Sequence, residues 1–70
     1  MADTLIYTKP GCPYCAAAMA DMRKRSVRFV QIDVEADLTA RKEMERLSGA
    51  LRVPTIVEPD GSVIVGFDGF

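Results

Sequence analysis

The sequence has 70 residues, no histidine and only two cysteines, Cys12 and Cys15. A structural zinc site takes about four Cys, His or carboxylate ligands, so this pair cannot build one alone. Any metal it held would need a second chain or external thiols. No basic block is longer than Arg23-Lys24-Arg25, and 9 basic residues stand against 10 acidic ones for a net charge of -1. That balance leaves no electrostatic footprint for nucleic acid. Apolar residues nowhere continue for the ~20 positions that span a bilayer. Met1-Ala2-Asp3-Thr4 also lacks the charged start and apolar run of a signal peptide. A membrane role is therefore not expected, and the cytoplasm is the expected location. No repeat, low-complexity tract or linker divides the chain, so residues 1–70 read as one small soluble domain. A chain of this length buries only about 60% of its unfolded surface, which leaves little stability to spare.

What is present is concentrated in Cys12-Pro13-Tyr14-Cys15. Two cysteines three apart can close a small disulfide or share a metal. In a reducing compartment such a pair points to catalysis or metal binding rather than to a structural staple. The following Ala16-Ala17-Ala18-Met19-Ala20-Asp21-Met22 is rich in helix formers. Cys12 is thus placed at a helix start, with Cys15 one turn inside. The positive end of the helix dipole favours thiolate, and a cysteine that titrates near ~8.5 in isolation can fall to ~7 or below there. Cys12 is the candidate nucleophile.

Around this stretch the chain reads as βαβαββ. Thr4-Leu5-Ile6-Tyr7-Thr8 has three consecutive apolar positions, as in a central strand buried on both faces. Lys9-Pro10-Gly11 breaks it, and Pro13 suits a first helical position. Cys15, Ala18, Met19 and Met22 then form one apolar stripe, with Arg23-Lys24-Arg25 at the helix end. Val27 to Val34 reads as a second strand at the sheet edge, parallel to the first through a right-handed crossover. Asp33, Glu35 and Asp37 mark a polar connection with Asp37 as helix cap. Leu38 to Ser48 is a second helix stopped by Gly49, with Ala40, Met44 and Leu47 inward and Arg41–Glu45 and Glu43–Arg46 as candidate ion pairs outward. Arg41 or Lys42 could reach a substrate carboxylate. Pro54 opens a strand over Thr55-Ile56-Val57, Pro59-Asp60-Gly61 turns it, and Ser62 to Phe67 returns as an antiparallel partner. The fold class is α/β, a mixed four-stranded sheet with helices on its faces.

Tyr7-Thr8-Lys9 leading into Cys12-Pro13-Tyr14-Cys15, Val53-Pro54 before a strand, and Gly66 with Asp68 after a hairpin together resemble a glutaredoxin of the thioredoxin-like fold. The resemblance covers essentially the whole chain and is nearest to short bacterial glutaredoxin-like proteins. It implies a thiol–disulfide oxidoreductase that reduces protein disulfides or glutathione mixed disulfides. Cys12 would attack and Cys15 would resolve the mixed disulfide. The resemblance also implies a cis peptide bond at Pro54, and a Val53 backbone that pairs with the incoming cysteinyl segment. Substrate contacts are implied at Lys9, Pro13, Tyr14, Val53, Pro54, Gly66 and Asp68, and Arg52, though not the family's residue, could still bind a carboxylate. Lys9 would meet a carboxylate of glutathione and Asp68 its γ-glutamyl amine. No bound cofactor is implied, and the reductant would be glutathione, with a disulfide reductase of the thioredoxin-reductase type as the other donor.

This chain departs from the family pattern at three places. Arg52 stands where a threonine is usual, and Gly66-Phe67 where two glycines are usual. The C-terminal helix usual in the family is not expected here, as the sequence runs to Phe70. The sheet face it would cover is expected to be closed by Phe67 and Phe70 or by a second copy in a homodimer. The alternative function is a metal or iron–sulfur module using Cys12 and Cys15 across a dimer, and a third reading is an inactive interaction module.

Overall fold

The apolar run Leu5-Ile6-Tyr7 lies at the centre of the fold because the strand that carries it is covered on both sides. In the computed structural model, which describes residues 3–66, Thr4–Thr8 forms β1 and Pro13–Lys24 forms α1. Phe29–Asp33 forms β2 and Leu38–Ser48 forms α2. Thr55–Val57 forms β3 and Val63–Val65 forms β4. The sheet order is β2-β1-β3-β4, with β1 parallel to β2 from Thr4↔Phe29 to Thr8↔Asp33. β1 pairs antiparallel with β3 through Ile6↔Ile56, and β3 with β4 through Ile56↔Ile64. This is the βαβαββ order and mixed four-stranded sheet expected of the thioredoxin-like fold.

Neighbouring strand residues point to opposite faces. Ile6 accordingly packs with Ala18 and Met22 of α1 and with Ile56, whereas Tyr7 packs with Val34 and with Met44 of α2. Each helix thereby has its own sheet face, and an unbroken apolar run is what such a strand requires.

Two strands are shorter than the sequence reading had them. The edge strand begins at Phe29, not Val27, because Val27 belongs to the end of α1. Arg25 caps the helix, and Ser26 turns left-handed at φ 57°. The Ser26 and Val27 amides donate to the Arg23 and Met22 carbonyls at 3.1 and 2.8 Å. This is a Schellman closure, with Val27 packed on the same cluster as Met22. The return strand is Val63–Val65 rather than 62–67. Ser62 is used in the turn, where its amide donates to Asp60 Oδ1 at 2.9 Å and its carbonyl accepts from Glu58 at 2.8 Å. The expectations placed on Phe67, Asp68 and Phe70, including the covering of the sheet face, lie outside the described residues.

α2 has the bounds expected, and its two ends explain why. Asp37 Oδ1 accepts from the Ala40 amide at 3.0 Å, and Gly49 stops the helix at φ 74° with its amide donating to the Glu45 carbonyl. A Cβ at Gly49 would meet nothing within 4 Å, so only its backbone conformation resists substitution. Asp37→Ala and Gly49→Ala are each expected to cost about 1 kcal/mol. The measurement is a lower urea midpoint at unchanged m-value. On the outer face Glu43 and Arg46 form the expected ion pair. The other expected pair, Arg41–Glu45, is not formed although both border one cleft, as exposed pairs gain little against the side-chain entropy of holding them together.

Candidate active site

The turn after β1 delivers Cys12 to the start of α1. Gly11, at φ 76°, makes the turn, Cys12 is extended at φ -85° and ψ 110°, and Pro13 occupies the first helical turn. Cys12 is itself the N-cap. Its Sγ accepts a hydrogen bond from the Cys15 amide at 3.3 Å, and its carbonyl accepts from the Ala16 amide at 3.2 Å. The side chains differ in access, for Cys12 is partly exposed while Cys15 is 2% exposed.

Burial opposes ionisation of Cys12, but hydrogen bonds from the Cys15 side chain and from the Cys15 and Tyr14 amides, with the Lys9 ammonium nearby, outweigh it. Its pKa lies below the ordinary thiol value. Burial pushes Cys15 the other way and its hydrogen bond with Cys12 adds to the shift, which brings it to about 11. Thiolate is the reactive form, so alkylation follows these directions. As pH rises, iodoacetamide should modify Cys12 below the ordinary ~8.5 of a free thiol, while Cys15 stays silent until far more alkaline pH. Intact-mass analysis at neutral pH should show one adduct. Two adducts forming at comparable rates would contradict the inequality.

The segment before β3 stands beside the cysteines. The Val53–Pro54 bond is cis, as the resemblance implied. Thr55, fully buried, donates through Oγ1 to the Arg52 carbonyl at 2.7 Å, and the Gly66 amide donates to the Pro54 carbonyl at 2.7 Å. Thr55 thus holds the Arg52-Val53 turn, a role that its place in a β-rich run concealed.

A cleft of about 730 Å³ opens between this segment, the cysteine turn and α2. Of the residues expected at the site, Lys9, Cys12, Pro13, Tyr14, Arg52 and Val53 line it. Pro54 is buried, and Gly66 supports Pro54 instead of facing the cleft. Asp68 lies outside the described residues. Arg41 lines the cleft, whereas Lys42 lines a neighbouring one. Leu38 and Leu51, 63% and 50% exposed, also line it and were not anticipated. The available signal was that both are large apolar residues off the inward stripe of α2. Among the described residues, no group of three or more His, Cys, Asp or Glu could hold a metal ion, and no helix is long and apolar enough to cross a membrane.

The glutaredoxin family model matches residues 4–64. An uncharacterized glutaredoxin-like 8.6 kDa protein in the rubredoxin operon of Clostridium pasteurianum is 36% identical over 63 residues, 90% of this chain and 83% of that protein. Glutaredoxin 3 of Escherichia coli K12 is 39% identical over 56 residues, 80% of this chain and 68% of that one. The crystal structure of a glutaredoxin from Archaeoglobus fulgidus superposes with a TM-score of 0.84 at 25% identity, over 97% of this chain and 78% of that one. The chain belongs to the glutaredoxin family, and so in general terms to the thiol–disulfide oxidoreductases.

Proposed function

We propose that the chain reduces protein disulfides and glutathione mixed disulfides by a dithiol mechanism in the cytoplasm. Cys12 thiolate attacks one sulfur of the substrate disulfide, forming a Cys12–substrate bond and releasing the other sulfur as a thiolate, which takes up a proton. Cys15, having lost its proton, attacks Cys12 Sγ, frees the second substrate thiol and leaves a Cys12–Cys15 disulfide. The substrate gains two electrons and the protein loses two. Two molecules of glutathione return them and become glutathione disulfide.

The observation that carries this reading is the inequality of the two thiols. The partly exposed Cys12 has its thiolate stabilised at the helix start, while Cys15 is buried and held protonated. An external disulfide can meet only the first. Cys15 Sγ is reachable only from within, which suits a resolving thiol. Among the described residues, Lys9, Arg41 and Arg52 surround the cleft with Glu35 as the single acidic side chain. That balance suits the carboxylates of glutathione, with Tyr14 and Pro13 as an apolar wall and the Val53 backbone as a strand-like edge.

The test is reduction of a small mixed disulfide under two donors, glutathione and a flavin disulfide reductase. Turnover with glutathione is expected, and Cys15→Ser should retain the exchange that needs only one thiol. Turnover that only the reductase supports would overturn the donor assignment. Equal rates for wild type and both cysteine variants would overturn the mechanism.

A further inference from the structure

The cleft beside Cys12 continues past the cysteine. A shallower cleft of about 280 Å³ adjoins it, and the two share Leu38, Arg41 and Leu51. Lys42 and Glu45 line only the second. Leu38, Arg41, Lys42 and Glu45 are spaced i, i+3, i+4 and i+7, which places them on one face of α2. That face lies about a third of a turn from Met44, which packs against the sheet and borders the first cleft from beneath.

This surface has two properties that a solvated helix face does not need. Leu38 and Leu51 belong to neither core cluster, yet both converge on the same two clefts next to the nucleophile. Single exposed leucines are ordinary, but two that border the same clefts beside a nucleophile suit the docking of an apolar group. Among the described residues charge is also unbalanced along the track, with Lys9, Arg41, Lys42 and Arg52 against Glu35 and Glu45.

The geometry points to the outer face of α2 as a docking groove for a cysteine-containing segment of a protein substrate, one that bears an aliphatic side chain and a carboxylate near its cysteine. Leu38 and Leu51 receive the aliphatic group, and Arg41 and Lys42 the carboxylate. The occupant is an extended peptide because the groove starts at the Val53 turn, just before the β3 ladder begins at Thr55, where a strand-like segment can lie. This assignment rests on the disulfide-reductase reading for its cysteine. It extends that reading from which bond is broken to which proteins present it.

Two ten-residue peptides with serine in place of cysteine separate the two claims. One carries Leu and Asp beside the serine and the other Ser and Lys. In NMR titrations the first should bind at least fivefold more tightly and shift the amides of Leu38, Arg41, Lys42 and Leu51. Lys42→Glu should remove that preference, and Leu38→Ser, at an exposed first helical position, should reduce it. The cysteine forms of both peptides, as mixed disulfides with 2-mercaptoethanol, should show the same ranking in kcat/KM relative to 2-hydroxyethyl disulfide. Equal affinities for the two peptides, or a preference unmoved by either variant, would overturn the groove. Turnover without peptide selectivity overturns the groove alone. Selective binding without turnover of any disulfide supports the groove and overturns the reductase reading.

Discussion

Replacing Cys12 by serine is expected to lower disulfide reduction on the order of 10³-fold or more, as loss of a nucleophile does in other enzymes. A hydroxyl at that position does not ionise at neutral pH, so neither the helix start nor Lys9 can turn it into an attacking anion. The same substitution should leave the fold intact. Cys12 is the N-cap of α1, and serine is among the preferred residues for that place. Unchanged or higher resistance of Cys12→Ser to urea, beside lost turnover, would locate the defect in chemistry. Cys15→Ser should behave differently, since the first exchange needs only Cys12. Activity of Cys12→Ser close to wild type would remove Cys12 from the mechanism.

Truncating Ile6 to alanine should have the largest effect on stability. Ile6 is fully buried on the central strand and touches Ala18, Met22 and Ile56, so it joins α1 to β1 and β3. Large-to-small changes at such sites cost about 2–5 kcal/mol, whereas a chain of this size has in all roughly 4–10 kcal/mol at ~0.05–0.15 kcal/mol per residue. Ile6→Ala should therefore be partly unfolded, or close to it, at physiological temperature. Ile64→Ala, at a position 47% exposed on the edge strand, should cost under about 1 kcal/mol. Urea titrations of the two variants provide the check. Comparable losses would mean that the core is not organised around β1.

Features that depend on nearby residues were legible before the structure. Asp37, Gly49 and Pro13 set helix ends through their own backbone and side-chain chemistry, and all three do so here. The run Leu5-Ile6-Tyr7 required cover on both faces, and it has it. The start of β2 was misread because the left-handed residue that usually betrays a helix end is glycine, and here it is Ser26. Lys9, Cys12, Arg52 and Val53 were placed at one site by resemblance, and the structure brings them to one cleft. Leu38 and Leu51 could not be placed so, because one opens α2 and the other follows its end, and only the folded chain brings both to the same clefts. Arg41 was paired with Glu45 on helical spacing alone, which makes two exposed side chains neighbours without making them pair.

The sulfur that attacks substrate also closes the first turn of α1 by accepting the Cys15 amide. As a thiolate it is a charged acceptor, and hydrogen bonds to charged acceptors are roughly twice as strong as neutral ones. Once that sulfur is bonded to another sulfur the charge is gone and the first turn loses part of its anchor. Reduced protein should therefore exchange the Cys15 amide proton more slowly than oxidised protein. By linkage, whatever steadies the reduced helix also makes the disulfide readier to accept electrons. The appetite of the protein for electrons is thus partly a property of a helix end, and it can be retuned at Pro13 or Tyr14 without altering either cysteine.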